Sequence, residues 1–200
     1  MGGARFGERA ALIAASNFYN CIQRFENPLR SEGIIECVAD VSRLVFEQLP
    51  NSGTTLAAVY AFNNRLTAVN VGDSRIYIFS NGKLKQVSKD HTLAQIQIDA
   101  GLLTQEQARE SSLRYGLTQY LGMNSDEMIF EPNIYMLNRI GPEDIILICS
   151  DGLSDFVDDE RIGKILSENI SLKNKTEMLI KAALNNNGQD NVTVMIIKIN

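Results

Sequence analysis

Between residues 54 and 87 the chain reads TTLAAVYAF, RLTAVNV, RIYIFS and KLKQV in close succession. These are short runs rich in β-branched and aromatic residues, parted by connections too short to hold a helix. Asn63 and Asn64 separate the first two runs, and Asn81–Gly82 separates the last two. Asn-Gly is a strong hairpin signal, because a two-residue turn needs positive φ at both central positions. The block reads as an antiparallel meander, and whatever else the chain forms must cover its faces.

Helical periodicity flanks this block. Residues 8–25 place Ala11, Ala14, Phe18, Ile22 and Phe25 three or four positions apart, which marks one face of an amphipathic helix. Pro28 suits a junction, after which Ile34, Val38, Val41, Val45 and Leu49 form a second stripe that Pro50 closes. Both stripes are narrow, so each helix packs on a sheet rather than being buried all round. Residues 91–122 are more polar and helical in pattern, and Gly101, Gly116 and Gly122 break them up. They read as an inserted subdomain over one end of the sheet. DIILICS (144–150) is apolar enough for a central strand. A helix follows around 158–168, with Asp158 as N-cap and Ile162, Ile165 and Leu166 facing inward. Another spans about 172–186 and ends near Gly188, which suits the C′ position, and NVTVMIIKI closes the chain as a strand. No internal repeat or low-complexity segment interrupts the 200 residues, which fit one domain.

Composition narrows the function. A net charge of −5 argues against nucleic acid, which selects a basic face. No stretch approaches the roughly 20 apolar residues of a membrane span, and Arg5, Glu8 and Arg9 interrupt any secretory signal. Cys21, Cys37 and Cys149 are odd in number, far apart and without a CxxC pair. That pattern suits reduced thiols in a cytoplasmic setting rather than a disulfide framework or a zinc site, with Cys149 a small buried side chain inside its strand. His91 is the single histidine, which rules out a histidine-rich metal centre, and neither GxSxG nor GxxxxGK[ST] occurs.

Three short motifs share a shape. Val71-Gly72-Asp73-Ser74-Arg75 lies between two strands, Ser150-Asp151-Gly152 follows an apolar strand, and Gly188-Gln189-Asp190-Asn191 precedes the last one. Each sets an aspartate at a strand end with a glycine within two positions, where carboxylates can converge above one sheet edge and backbone can approach closely. Taken singly, each reads as an Asx turn. Taken together, they read as a cation site, because converging carboxylates repel unless a cation neutralises them. Oxygen donors without His or Cys select Mg²⁺ or Mn²⁺. Two such ions about 3.5–4 Å apart lower the pKa of a water between them, a centre suited to attack on a phosphate monoester.

The segments MGGARFGERAA, Gly53-Thr54-Thr55, VGDSRIY, KDHT, LTQYLG, ILICSDGLSD and GQDNVTVMII, in that order, resemble the metal-dependent PPM-type protein phosphatases, the protein phosphatase 2C class, and bacterial members most closely. The likeness runs over essentially the whole chain. It implies an α+β fold, a four-layer α-β-β-α sandwich of two antiparallel sheets flanked by helices, with the N-terminal strands missing. It also implies hydrolysis of phosphoserine and phosphothreonine in proteins by a water held between two Mn²⁺ or Mg²⁺ ions. Carried over by motif, Asp151 and Asp190 correspond to ligands of the binuclear centre, and Asp73 to a ligand of a third, weaker ion. Asn191 is expected to orient Asp190, with Gly152 beside Asp151, and residues 91–122 correspond to the flap bordering the active site. Phosphorylated proteins and a serine/threonine kinase are the implied partners.

The family motif DGMGG sets a bridging Asp and a carbonyl-donating Gly just before the Met at which this chain begins. The sequence is therefore expected to be either a fragment or misassigned start of a full phosphatase, or a truncated relative that binds phosphoproteins or partners without catalysis. His91 is expected to be structural at the flap mouth, Arg75 to tie its turn to neighbouring carbonyls or carboxylates, and Ser150 not to act as a nucleophile.

Overall fold

The computed structural model describes residues 6–24, 31–62, 65–124, 129–137, 140–186, 188 and 190–199. The MGGAR opening, Phe25 and Pro28 lie outside the described residues. Helices α1 (Gly7–Ile22) and α2 (Ser31–Gln48) precede strands β1 (Leu56–Phe62), β2 (Arg65–Val71), β3 (Arg75–Ser80) and β4 (Lys83–Gln86). Next come α3 (Leu93–Asp99), α4 (Gln105–Glu110), a 3₁₀ turn (Ser112–Tyr115), β5 (Asn133–Leu137) and β6 (Ile145–Cys149). Short α5 (Asp151–Ser154), α6 (Asp159–Ser167), α7 (Leu172–Asn185) and β7 (Val194–Lys198) complete the order.

The strands form two antiparallel sheets, β1-β2-β5 and β4-β3-β6-β7. The Asn81–Gly82 hairpin is as expected: both residues have positive φ, 50° and 74°, and Ser80 pairs with Lys83. The continuous meander is not, because β2 and β3 belong to different sheets and the chain crosses between them at Gly72-Asp73-Ser74. The physical reason lies in β2, where every residue after Arg65 is buried. A strand buried on both faces needs two covering layers. Val69 and Val71 face the helices α1 and α2, whereas Leu66 and Ala68 meet Ile76 and Ile146 of the opposite sheet. Ile145, Leu147 and Cys149 of β6 look the other way, onto α6 and α7. The result is the four-layer α-β-β-α sandwich, with β6 central between β3 and β7.

The second stripe packs as read, with Ile34, Val38, Val41, Val45 and Leu49 all buried. The first stripe packs largely as read: Ala14 and Ile22 are buried and Phe18 sits partly buried against the same cluster, whereas Ala11 is exposed and Ala10 takes the buried place. Beside this face Cys21 meets α2, where it forms a disulfide with Cys37 at a Cα–Cα distance of 5.8 Å. The expectation of three reduced thiols is thus corrected, since two helices bring together cysteines separated by 16 positions. Cys149 is free and buried, and burial pushes its thiol up to about 12. Asp158 caps α6 by accepting from the Arg161 N–H, as expected. At the end of α7 the C-cap is Asn186, so Gly188 lies one place beyond C′ and donates its N–H to the Ala183 carbonyl.

Candidate functional site

Asp73 sits at the crossing between the sheets, on a turn held from several sides. Gly72 has φ +97°, a conformation that L side chains rarely adopt, and a Cβ there would lie 2.4 Å from Thr55 Cγ2. The buried Asn70 amide donates to the carbonyls of Gly72 (3.2 Å) and Ser74 (3.0 Å), and the Thr55 and Ser74 hydroxyls meet at 2.7 Å. His91 grips the same turn: Gly72 N–H donates to His91 Nδ1, and His91 N–H donates to the Gly72 carbonyl, both at 3.0 Å. Burial lowers the His91 pKa, partly opposed by a hydrogen bond to Asn133. A neutral imidazole accepting a backbone N–H is a brace, which is the structural role expected for it.

Asp151 opens α5 directly after β6, and its Oδ1 accepts from Gly152 N–H at 2.8 Å. Ser150 stitches this point to the lead-in of β7, donating to the Asn191 carbonyl (3.2 Å) and accepting from Thr193 N–H (3.0 Å). Its hydroxyl is thereby occupied on both sides, consistent with a tie rather than a nucleophile. A Cβ on Gly152 would lie 2.4 Å from the Asn191 carbonyl oxygen, so only glycine fits this approach without a shift. Asp190 is exposed, and its Oδ1 accepts from Asn191 N–H at 2.7 Å. Asn191 thus meets Asp190 through its backbone.

Asp73, Asp151 and Asp190 line one cavity of about 510 Å³, together with Asp155, Tyr115 and the start of α1 at Gly7. Their charges act on one another. Burial first, and then the negative charge of Asp151, pushes Asp73 up to about 7. Burial followed by Asp190 and Asp155 raises Asp151. Asp155 is raised mainly by burial, with Arg114 the chief opposing influence at 3.7 Å. Sequence reasoning missed Asp155. Its signal was the SDGLSD spacing, which sets Asp155 four positions after Asp151 and hence on the same side of a helical turn.

The donor set is carboxylate and carbonyl oxygen, and like charges crowded in a half-buried cavity call for a hard divalent cation. By that chemistry the residues fit Mn²⁺ or Mg²⁺. Among the described residues, however, no group of three or more His, Cys, Asp or Glu converges closely enough to enclose an ion by itself. Both observations hold: the carboxylates share a cavity and sense each other across it, without meeting at a point.

Arg75 is committed elsewhere, as expected, with Nη2 to Asp90 at 2.7 Å and Nη1 donating to the Tyr77 hydroxyl at 3.2 Å. The segment 91–122 leaves and returns at one place. Leu93 N–H donates to the Gly116 carbonyl (2.8 Å) and Thr118 N–H to the His91 carbonyl (2.9 Å). Gly122 N–H then donates to Ser42 Oγ of α2 at 3.0 Å. Arg109 and Arg114 reach from this excursion to Asp159 (3.4 Å) and Asp155 (3.7 Å), closing it over the carboxylate side of the sandwich.

Comparison with known proteins agrees with this geometry. The sequence profile of the protein phosphatase 2C family matches residues 28–97. The serine/threonine protein phosphatase PstP of Mycobacterium tuberculosis is 38% identical over 152 residues, which are 76% of this chain and 28% of that protein. The chain therefore spans little more than a quarter of that relative's length. Among solved structures, the PPM Ser-Thr phosphatase MsPP of Mycobacterium smegmatis, in complex with cacodylate, superposes with a TM-score of 0.84 at 28% identity, over 96% of this chain and 82% of that one. The catalytic domain of PstP in complex with two manganese ions gives 0.78 at 31% identity, over 98% and 83% respectively. By its sequence and its fold, the chain belongs to the protein phosphatase 2C family, the PPM-type serine/threonine phosphatases.

Proposed function

We propose that this chain carries a single PPM-type domain, with residues 91–122 as its flap, that hydrolyses phosphoserine and phosphothreonine in proteins with the help of Mn²⁺ or Mg²⁺. The observation that carries the reading is the shared cavity: three aspartates from three separate strand ends line it, and each of the two more buried ones is shifted by the charge of another. The two manganese ions in the similar PstP catalytic domain support the choice of cation.

In this reading Asp151 and Asp190 hold the binuclear ions and Asp73 a third, weaker one. When bound, the cations supply charge neutralisation for the phosphate oxygens and make a water acidic enough to attack. The chain's own residues fix where that happens. The Gly152–Asn191 contact sets the approach of the Asp151 segment to the Asp190 segment, and His91 and Asn70 hold the turn that aims Asp73. Tyr115 forms a flap-side wall of the cavity. The substrate is a phosphorylated protein, a serine/threonine kinase is the activity that makes it, and the cytoplasm is the setting, where cellular thiols would keep the Cys21–Cys37 bond under reducing pressure. Among the described residues no helix is long and apolar enough to cross a membrane.

The test is titration calorimetry with Mn²⁺ on this chain, paired with hydrolysis of p-nitrophenyl phosphate at increasing Mn²⁺. Saturable Mn²⁺ binding is the expected result, with metal-dependent turnover in a form lengthened upstream by a segment ending Asp-Gly, and turnover indifferent to chelator refutes it. A second reading, a non-catalytic module that binds phosphoproteins, is favoured by one observation: no trio of ligands among the described residues closes on an ion. Phosphopeptide binding without Mn²⁺ uptake decides for that reading.

A further inference from the structure

We propose that the Cys21–Cys37 disulfide is a thiol-exchange site, entered at Cys21 by a small-molecule thiol, and that opening it releases helix α1 from α2. The two sulfurs are unequally accessible. Cys37 is fully buried among Ile34, Val38 and Val41. Cys21 is half-buried and lines an open groove of about 160 Å³ with Asn17, Asn20, Arg24 and Asp40. A thiolate diffusing into this groove reaches Cys21 and is shut off from Cys37. Arg24 lines the same groove, and its backbone N–H donates to the Cys21 carbonyl at 3.1 Å. Asp40, the acidic group on the same groove, is neutralised by Arg43 at 3.2 Å. A guanidinium beside a sulfur favours an incoming thiolate.

The exchange balances as follows. A thiolate RS⁻ attacks Cys21 Sγ, the S–S bond breaks, and Cys37 leaves as a thiolate that takes a proton. A second RS⁻ attacks the thiol-derived sulfur of the mixed disulfide. RSSR forms and Cys21 leaves as a thiolate that is protonated in turn, so two electrons pass from two thiols to the protein.

What the opening releases follows from how α1 is held. The helix buries Ala10, Ala14 and Ile22 and sets Ile13 and Phe18, partly buried, against the same cluster. Its main packing partner is α2. The covalent link adds to this apolar hold at the C-terminal end of the helix. The first residue of α1, Gly7, lines the carboxylate cavity at the opposite end of the helix from Cys21. Loosening α1 therefore reaches that cavity, whether or not the cavity is catalytic.

Hydrogen exchange read by mass spectrometry on the whole chain tests this, with and without excess glutathione. Reduction is expected to speed exchange in residues 7–22 by about 100-fold, the factor that loop-closure entropy assigns to such a cross-link, and to leave unchanged those amides of α6 and α7 that exchange by local opening. Trapping the reaction with acid should find glutathione on Cys21. An adduct on Cys37, reduction only after denaturation, or unchanged exchange in α1 each overturns the proposal. The C21A/C37A double variant keeps it testable in the absence of any thiol: exchange in α1 should match the reduced protein, and a match to the oxidised protein refutes it. Should that variant not fold, the wild-type comparison decides alone.

Discussion

Replacing Gly152 with alanine adds one methyl group where the segment carrying Asp151 meets the segment carrying Asp190. The new Cβ would lie 2.4 Å from the Asn191 carbonyl oxygen, 3.0 Å from the Asn191 carbonyl carbon and 3.3 Å from Val192 Cα. All three are backbone atoms, so no rotamer change relieves the contact. Since carbon and carbonyl oxygen ordinarily approach to about 3.3 Å, the two segments must part by about 1 Å. Gly152 does not occupy the left-handed region, so alanine suffers no backbone strain and the effect is purely steric. Overpacking of this kind costs about 1–3 kcal/mol, and the unfolded chain's lost freedom returns about 0.4–1 kcal/mol, leaving a net loss of about 1–2 kcal/mol. Gly163→Ala is the control. It lies inside α6, where an added Cβ meets Leu84 Cβ at 3.4 Å, an ordinary contact, so helix propensity should stabilise the protein by about 0.5–1 kcal/mol. Urea denaturation of both variants measures the difference, and calorimetry with Mn²⁺ reads the spacing of Asp151 and Asp190. If Gly152→Ala is as stable as Gly163→Ala and binds Mn²⁺ as wild type does, the glycine is not what sets the approach of these segments.

In a form of the protein that turns over p-nitrophenyl phosphate, Asp151→Asn or Asp190→Asn should lower kcat by orders of magnitude and His91→Ala much less; equal losses at all three positions would undo the assignment of roles. Removing the Cys21–Cys37 link, which closes a separation of 16 residues, should cost about 3 kcal/mol and lower Tm by about 6–12 °C, read by calorimetry with and without reductant; an unchanged Tm contradicts it. His91 should titrate below the ordinary value of about 6.5 in an NMR pH series, because burial and the Gly72 N–H both favour the neutral ring. Its folded pKa being depressed, the stability it contributes is complete above the unfolded value and is lost as pH falls from there through the folded value, so a titration at or above 6.5 would deny the brace.

The sequence was most legible where one period had no rival. The α2 stripe spaces five large apolar residues among polar ones, and all five are buried. In α1 the alanines at 10 and 11 offer no contrast in size or polarity, so periodicity alone could not say which faces α2. The Asn81–Gly82 hairpin was readable from backbone chemistry, whereas the β2–β3 crossing was not, because a Gly-Asp-Ser turn serves a hairpin and a change of sheet equally well. RLTAVNV did carry a clue: it lacks a regular polar alternation, and its two covered faces explain why. The disulfide was illegible for a different reason, since it depends on how two helices pack, and an odd cysteine count conceals one pair plus one buried thiol. At the candidate site, the three aspartates followed from strand ends and family motif, while the supports of Asn70 and Ser150 come from positions that no spacing rule singles out.

Those supports are unevenly shared, and the inequality says where the site is rigid. The turn bearing Asp73 is held by His91, by Asn70 and through the Thr55–Ser74 hydroxyl pair. The segment bearing Asp151 is fixed to β7 by two hydrogen bonds of Ser150 and by the Gly152 contact. Asp190 is exposed, and the hydrogen bond that steadies it among the described residues comes from the next peptide in the chain. Preorganisation lowers the ordering cost that binding must meet, so Asp73 and Asp151 come closest to a fixed frame for a cation. Asp190 is the arm whose position a bound cation would have to complete. The charge effects run the same way: Asp73 and Asp151 are raised chiefly by burial, which only a held carboxylate suffers, and Asp190 reaches Asp151 mainly as a neighbouring charge. In the proposed reading, Asp190 would be the carboxylate that a bound cation draws in, in keeping with a shared cavity where no three donors among the described residues meet.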